Sequence, residues 1–328
     1  MAARPEEKLI ETIDRQPWLE ALSKTVQEAV QKLYSAGGPA AMRVRDFLHG
    51  VWLGHPLHAV LTDVTIGAYL FGMAFDLLEM AGVRLAGRRS GPAGAARSVL
   101  ARAGAEISPA GQAADTVLQI GAASAGLTAL TGVTDWQHTI GSARRVGMAH
   151  ALLNSGALAF ILLSLLARKG GQRSQGRALA FGGYLLSLGA AYLGGHLAYG
   201  YRIGMNHAPV DGLPAEYKPV IAETELPDGR PVKAWMDEIP LVLVRRGGQV
   251  FALADRCAHM GGPLSEGQFH EDRSITCPWH CSTFSMEDGR VLQGPSVYTQ
   301  PCFETRILNG QVEVRLKSNS NVRSVSEQ

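Results

Sequence analysis

The sequence predicts a multidomain membrane protein, with an N-terminal all-α bundle of four transmembrane helices and a C-terminal all-β domain. Three observations carry that reading. The 328 residues are 46% apolar and 18% charged, but the long apolar runs fall between Trp52 and Asn206, while the chain beyond about Lys218 is alternating and charged. Four of those runs approach the roughly 20 residues that a helix needs to cross a hydrocarbon core. The C-terminal part places runs of period-two hydrophobicity on either side of Gly-Gly and Asn-Gly pairs.

The N-terminal stretch from about Glu6 to Ser35 carries Leu19, Leu22, Val26, Val30 and Leu33 at the spacing of one helical face. It predicts an amphipathic helix that lies at the interface or packs on the bundle. The opening MAARPEEKLIETIDRQPW lacks the basic-then-apolar profile of a signal peptide. The four expected spans are Leu57 to Met80, Thr116 to Trp136, Gly147 to Ala167 and Ala178 to Tyr199, with Trp52, Trp136 and Tyr199 near their ends. Their Gly, Ala and Ser content favours close helix packing. A short surface helix is expected between Ala81 and Ala114. The domain boundaries read as 1–50 for the amphipathic helix and lead-in, 51–206 for the four-helix domain, 207–216 for a Pro/Gly linker, 217–318 for the β domain and 319–328 for a tail.

A net charge of +2 without a dense basic face excludes a nucleic-acid partner. Near the spans, Lys and Arg number nine on one side and seven on the other, so charge alone does not orient the bundle. Multi-pass insertion in a bacterial inner membrane, with lipid as surroundings and the cysteine-bearing domain cytoplasmic, is expected because that domain has no export signal and its thiols need a reducing compartment.

All four cysteines lie in the β domain, at Cys257, Cys277, Cys281 and Cys302. Cys257-x-His259 and Cys277-x2-His280 sit about twenty residues apart on Gly- and Pro-rich loops. Four such donors suit tetrahedral zinc, or two sulfide-bridged irons with cysteines on one and histidines on the other. Each turn supplies one cysteine and one histidine, whereas zinc fingers usually bring two cysteines together on one turn.

The residues CAHMGGPLSEG and CPWHCSTFSMEDGRVLQGPS, with their flanking strands from roughly Tyr217 to Lys317, resemble the Rieske [2Fe-2S] domains. The resemblance implies Cys257, His259, Cys277 and His280 as cluster ligands, Ser282 as a hydrogen-bond donor beside them, and Gly294-Pro295 as the third, cluster-covering loop. Departures from the family assign it to the ferredoxin type. Gly262 and Trp279 stand where quinol-oxidising members have disulfide cysteines, and Phe284 replaces a hydrogen-bonding tyrosine. Fewer donors to the cluster imply a potential on the order of −150 mV rather than +300 mV. Cys281 stands where the ferredoxin type usually has glycine. His270, between the motifs, reads as a solvated turn residue.

In the membrane half, GHPLH and GGHLAYG resemble a family of four-helix bacterial membrane domains with an HPLHP-like opening, from about Trp52 to Asn206, with Ala59 in place of the second proline. An up-and-down path brings His55, His58, Asp135, His138, His150 and His196 to one leaflet. Ionisable groups there are functional candidates. His58, His150 and His196 are candidates for a haem b or quinone site, against a bland reading in which they cap helix ends.

The function expected is one-electron transfer to or from a redox partner protein or a quinone, as a component of an oxidoreductase system. An iron-sulfur redox sensor and a ferredoxin merely anchored to the membrane are the alternatives. A Rieske oxygenase is not expected, because the β domain is followed by no room for a catalytic iron domain.

Overall fold

The computed structural model describes residues 5–82, 107–209, 211 and 213–317. The expected surface helix between Ala81 and Ala114 falls almost wholly outside them. Two compact units emerge: Met1–Glu28 with His58–Tyr201, and Ala29–Leu57 with Arg202–Gln328.

The expected N-terminal helix is divided. Helix α1 (Pro5–Asp14) stops before α2 (Pro17–Ala36), since Pro17 has no N–H to continue the ladder and starts a new helix instead. A third helix, α3 (Gly38–His49), was not foreseen, and a 3₁₀ turn at Val51–Leu53 follows it. In the first unit α1 and α2 pack on the bundle. The Gln27 amide donates to the carbonyls of Trp136 (3.1 Å) and Thr139 (2.9 Å), and Arg145 pairs with Asp14 and Glu20, each at 3.0 Å.

The bundle comprises α4 (Leu57–Met80), α5 (Pro109–Trp136), α6 (Gly141–Lys169) and α7 (Arg173–Gly195), the last running into a π-helical turn at His196–Gly200. Each of the four is long and apolar enough to cross a membrane. The second, third and fourth helices begin earlier than the apolar runs, and at the start of α5 Ser108 Oγ accepts the Gly111 N–H at 3.0 Å. One buried side chain from each helix, Tyr69, Leu118, Ile161 and Ala180, meets in the centre. Large apolar side chains such as Phe71, Leu127, Leu166 and Leu185 face outward, as a lipid-facing surface requires.

At the end of the bundle opposite the histidines, Arg168 is buried. It donates to Asp76 Oδ1 at 2.8 Å and Asp115 Oδ1 at 2.9 Å, while Arg173 and Arg177 pair with Glu79 at 3.1 and 3.0 Å. Charges in so apolar a setting persist only when paired.

The second unit carries the β domain. A six-stranded antiparallel sheet has the order β1-β10-β9-β4-β3-β2, built from β1 (Lys218–Ala222), β2 (Val232–Met236), β3 (Ile239–Arg246), β4 (Gln249–Ala254), β9 (Cys302–Leu308) and β10 (Gln311–Leu316). The expected turns form: Gly247 and Gly248 join β3 to β4, and Asn309 and Gly310 join β9 to β10, all four at positive φ, as type I′ turns demand. Between β4 and β9 a four-stranded sheet is inserted, β5 (Gln268–Phe269), β6 (Ser274–Thr276), β7 (Thr283–Ser285) and β8 (Val291–Gln293). Its inner face, with Ile275, Phe284 and Met286, packs against Val242, Val244, Phe251 and Leu253 of the larger sheet.

Replacing Arg168 by Met strands the buried carboxylate of Asp76, while Asp115 keeps its pairing with Arg173 at 2.9 Å. The substitution should lower the stability of the bundle by about 3–5 kcal/mol, read as a lower midpoint when purified protein in mild detergent is titrated with dodecyl sulfate.

Candidate metal centre

The loop after β4 and the loop between β6 and β7 are conformational twins. In the first, the Cys257 N–H donates to the Gly262 carbonyl (2.9 Å) and the Gly261 N–H to the Cys257 carbonyl (2.8 Å). In the second, the Cys277 N–H donates to the Ser282 carbonyl (2.8 Å) and the Cys281 N–H to the Cys277 carbonyl (3.1 Å). The fourth residue after each cysteine is left-handed, Gly261 at φ 78° and Cys281 at φ 61°. Glycine adopts that conformation freely and cysteine does not. This explains why the ferredoxin pattern has glycine at the second position.

These loops gather the four predicted ligands into two pairs. Cys257 and Cys277 are buried side by side. A hydrogen bond between their sulfurs holds the Cys277 thiol down to about 7 and, together with burial, pushes that of Cys257 well up. The rings of His259 and His280 lie 5.0 Å apart, edge to face. Burial lowers the pKa of His280, which keeps its imidazole neutral and able to bind a metal. Among the described residues no three His, Cys, Asp or Glu side chains converge as a single ion would need. Separate sulfur and imidazole pairs match the donor set of a binuclear centre.

The third loop closes the arrangement. Ser282 is fully buried, and its Oγ accepts the Ser296 N–H at 2.9 Å, which leaves its hydroxyl proton to be donated elsewhere. Gly294 and Pro295 are buried directly before Ser296. Sequence reading missed Gln300. Its buried side chain accepts the Ala258 N–H at 3.0 Å and donates to the carbonyls of Ala254 (2.7 Å) and Arg256 (2.6 Å), bracing the first loop. Nothing in the local sequence marks it, since its partners lie more than forty residues away.

A Cβ on Gly262 would stand 2.9 Å from both Cys277 Sγ and the Trp279 ring, so packing of Trp279 occupies the place where a disulfide would lie. Phe284 is wholly buried in β7. Cys302 is a core thiol that burial pushes up to about 11, which makes it inert near neutrality. His270 is half-buried rather than solvated, its Nε2 2.9 Å from Thr276 Oγ1.

In the bundle, the structure brings His58 and His150 together, with ring centroids 6.5 Å apart and planes at 76°. His58 Nδ1 lies 3.0 Å from the Thr128 carbonyl and His150 Nδ1 2.8 Å from that of Ala190. A carbonyl only accepts, so each Nδ1 carries a proton and Nε2 is the nitrogen left to face a ligand. His196 lies in the π turn and packs edge-on to Tyr201, at 4.9 Å.

Residues 216–304 match the family model of the Rieske [2Fe-2S] domain, and residues 54–207 match that of the "Predicted membrane protein (DUF2231)". The anthranilate 1,2-dioxygenase ferredoxin subunit of Burkholderia cepacia is 31% identical over 102 residues, which span 31% of this chain and 94% of that protein. This chain belongs to the Rieske [2Fe-2S] proteins. Its Rieske domain is also 27% identical over 93 residues to the 3-phenylpropionate/cinnamic acid dioxygenase ferredoxin subunit of Escherichia coli (strain K12), covering 28% of this chain and 86% of that one. The solved ferredoxin of carbazole 1,9a-dioxygenase from Nocardioides aromaticivorans IC177 is 26% identical, covers 31% of this chain and 98% of that one, and has a TM-score of 0.30. A Rieske domain of ferredoxin type implies a [2Fe-2S] cluster and electron transfer, here alongside a DUF2231 membrane domain.

Cys281→Gly should relieve the left-handed strain in the second loop and stabilise the Rieske domain by about 1 kcal/mol. The readout is a higher temperature for bleaching of the visible absorption of the loaded protein.

Proposed function

We propose that this chain is a membrane-anchored one-electron carrier of low potential, in which Cys257 and Cys277 hold one iron of the cluster and His259 and His280 the other. The observation that carries the reading is the pairing of two sulfurs and two imidazoles on twin loops. The cluster supplies a single-electron site and no bond-making chemistry. The protein's part is to exclude water from the sulfurs, orient the imidazoles and set the potential. Phe284 without a hydroxyl, and Trp279 packed where other members have a disulfide, favour a value on the order of −150 mV.

The four apolar helices support multi-pass anchoring in a bacterial inner membrane, with the Rieske domain on the cytoplasmic side where its thiols stay reduced before loading. The relatives named above are subunits of dioxygenases, which favours a redox protein as one partner. The second partner site is in the bundle. Two imidazoles from α4 and α6, each with Nδ1 on a carbonyl, offer paired Nε2 lone pairs of the kind that ligate haem b or accept a hydrogen bond from a quinol. His150 Nε2 accepts from Asn154 Nδ2 at 3.0 Å, a contact that such a ligand would replace. His196 is a lesser candidate for this site, since its ring packs against Tyr201.

Anaerobically purified protein, once reduced, should give a rhombic EPR signal averaging near g about 1.9. Stoichiometric zinc in its place would overturn the cluster assignment. Phe284→Tyr adds a donor beside the loops; a hydrogen bond of about 1 kcal/mol should raise the midpoint by roughly 45 mV for one electron, measured by redox titration of that signal. His58→Ala and His150→Ala should each abolish electron exchange between the cluster and a short-chain quinone, or remove a haem Soret band where one is present, while reduction by dithionite is unchanged. Unaltered exchange would reduce the bundle to an anchor.

A further inference from the structure

The segments that flank the four spans in the chain belong to the same compact unit as the Rieske domain. They bind its loops from two directions. Ahead of the first span, the buried guanidinium of Arg45 on α3 donates to the Gly294 carbonyl at 2.8 Å and pairs with Asp46 at 3.0 Å. A Cβ on Gly294 would stand 2.9 Å from Val51 Cγ2 and 3.0 Å from Asp46 Oδ1, so α3 and the 3₁₀ turn press on the backbone of the third loop. Beyond the fourth span, the His207 N–H donates at 3.0 Å to the carbonyl of Ala258, which lies between Cys257 and His259. Gly204 follows the fourth span too, and its carbonyl accepts the Tyr298 hydroxyl at 2.9 Å. The two flanking segments meet each other where Gly204 approaches the Pro56 ring.

A domain swinging on a Pro/Gly linker needs none of these contacts. Residues 38–53 also lie outside both family matches. The face that this segment turns outward is apolar and aromatic: Phe47 and Trp52 stack at 5.5 Å and are 56% and 60% exposed, with Val44 and Leu53 beside them in the sequence and similarly exposed. The patch ends four residues before Leu57, where α4 begins. Aromatic rings so close in the chain to the start of a span belong in the headgroup region.

We propose that residues 44–56 and 202–207 form a clamp that seats Val44, Phe47, Trp52 and Leu53 in the lipid headgroup layer and holds the ligand loops of the Rieske domain at that level in one orientation. The proposal rests on the membrane-anchored Rieske reading above. It makes the cluster a fixed station at the membrane surface rather than a mobile head, and Arg45 and Tyr298 its positioning residues.

Full-length protein, reduced in oriented phospholipid multilayers, tests this by EPR. The amplitudes of the rhombic features should vary with the angle between membrane and field, and Arg45→Ala/Tyr298→Phe should abolish that variation while the frozen-solution signal persists. Amplitudes independent of angle in the unaltered protein, or variation that survives in the double variant, would overturn the clamp. Should Arg45→Ala lose the cluster, Tyr298→Phe alone, which removes only a half-exposed hydroxyl bond, is expected to weaken the angular variation, and an unchanged pattern counts against the proposal. The lipid seat is read separately. Brominated phosphatidylcholine should quench a component of tryptophan fluorescence that Trp52→Phe removes, and no such component means that the patch is not in the membrane. Absence of any rhombic signal in frozen solution would overturn the cluster reading itself, and the Trp52 measurement still decides where the segment sits.

Discussion

The hydrogen bond from the N–H of Cys257 and of Cys277 to the carbonyl five residues on, repeated in two loops, is the constraint on which the pairing of the two sulfurs and the two imidazoles depends. It closes each loop tightly enough that residue four after the cysteine must be left-handed, and it turns both sulfurs inward to one place and both imidazoles to another. Ser282 and Gln300 extend this frame, the first by taking the N–H of Ser296, the second by satisfying the buried backbone around Cys257. The buried backbone N–H of Ser296 and Ala258 and the carbonyls of Ala254 and Arg256 thus find partners, as a buried, low-dielectric site demands.

The membrane domain obeys the same rule with different groups. One end holds a network of Asp76, Glu79, Asp115, Arg168, Arg173 and Arg177, and the other pairs Arg144 and Arg145 with Asp14 and Glu20 of the N-terminal helices. These pairings explain why counting basic residues does not orient the bundle. Several of the arginines counted are structural counter-ions, engaged inside the fold rather than left in a loop to face the membrane potential. The apolar middle, with one side chain from each helix at its centre, leaves His58 and His150 as the ionisable pair whose rings meet across two spans.

The Rieske domain carries its own adjustments within that frame. Trp279 packs against the backbone of Gly262, and Phe284 is buried in the core cluster that includes Cys257 and Cys277, without a hydroxyl to donate. Cys281 and Cys302 show how position decides the chemistry of a thiol: the first is exposed on a strained turn, the second is a core residue pushed far from ionisation by burial.

Local chemistry was enough to read much of this. Hydropathy located four membrane-length helices, Gly-Gly and Asn-Gly marked the two hairpin turns, and the Cys-His spacing with its glycines marked the Rieske loops, because each of those signals resides in a few consecutive residues. The break at Pro17 was marked by the proline but not read, although the apolar residues that carry the helical period all lie beyond it. The sequence by itself determined which elements form and which side chains are offered as metal donors. Only the tertiary structure decided that Gln300 braces Cys257's loop, that His58 finds His150 while His196 turns to Tyr201, and that α3 lies on the third loop through Arg45. Apart from the local His196–Tyr201 contact, those outcomes depend on backbone carbonyls met from tens to hundreds of residues away, and every residue has a carbonyl, so no pattern of side chains along the chain could announce them.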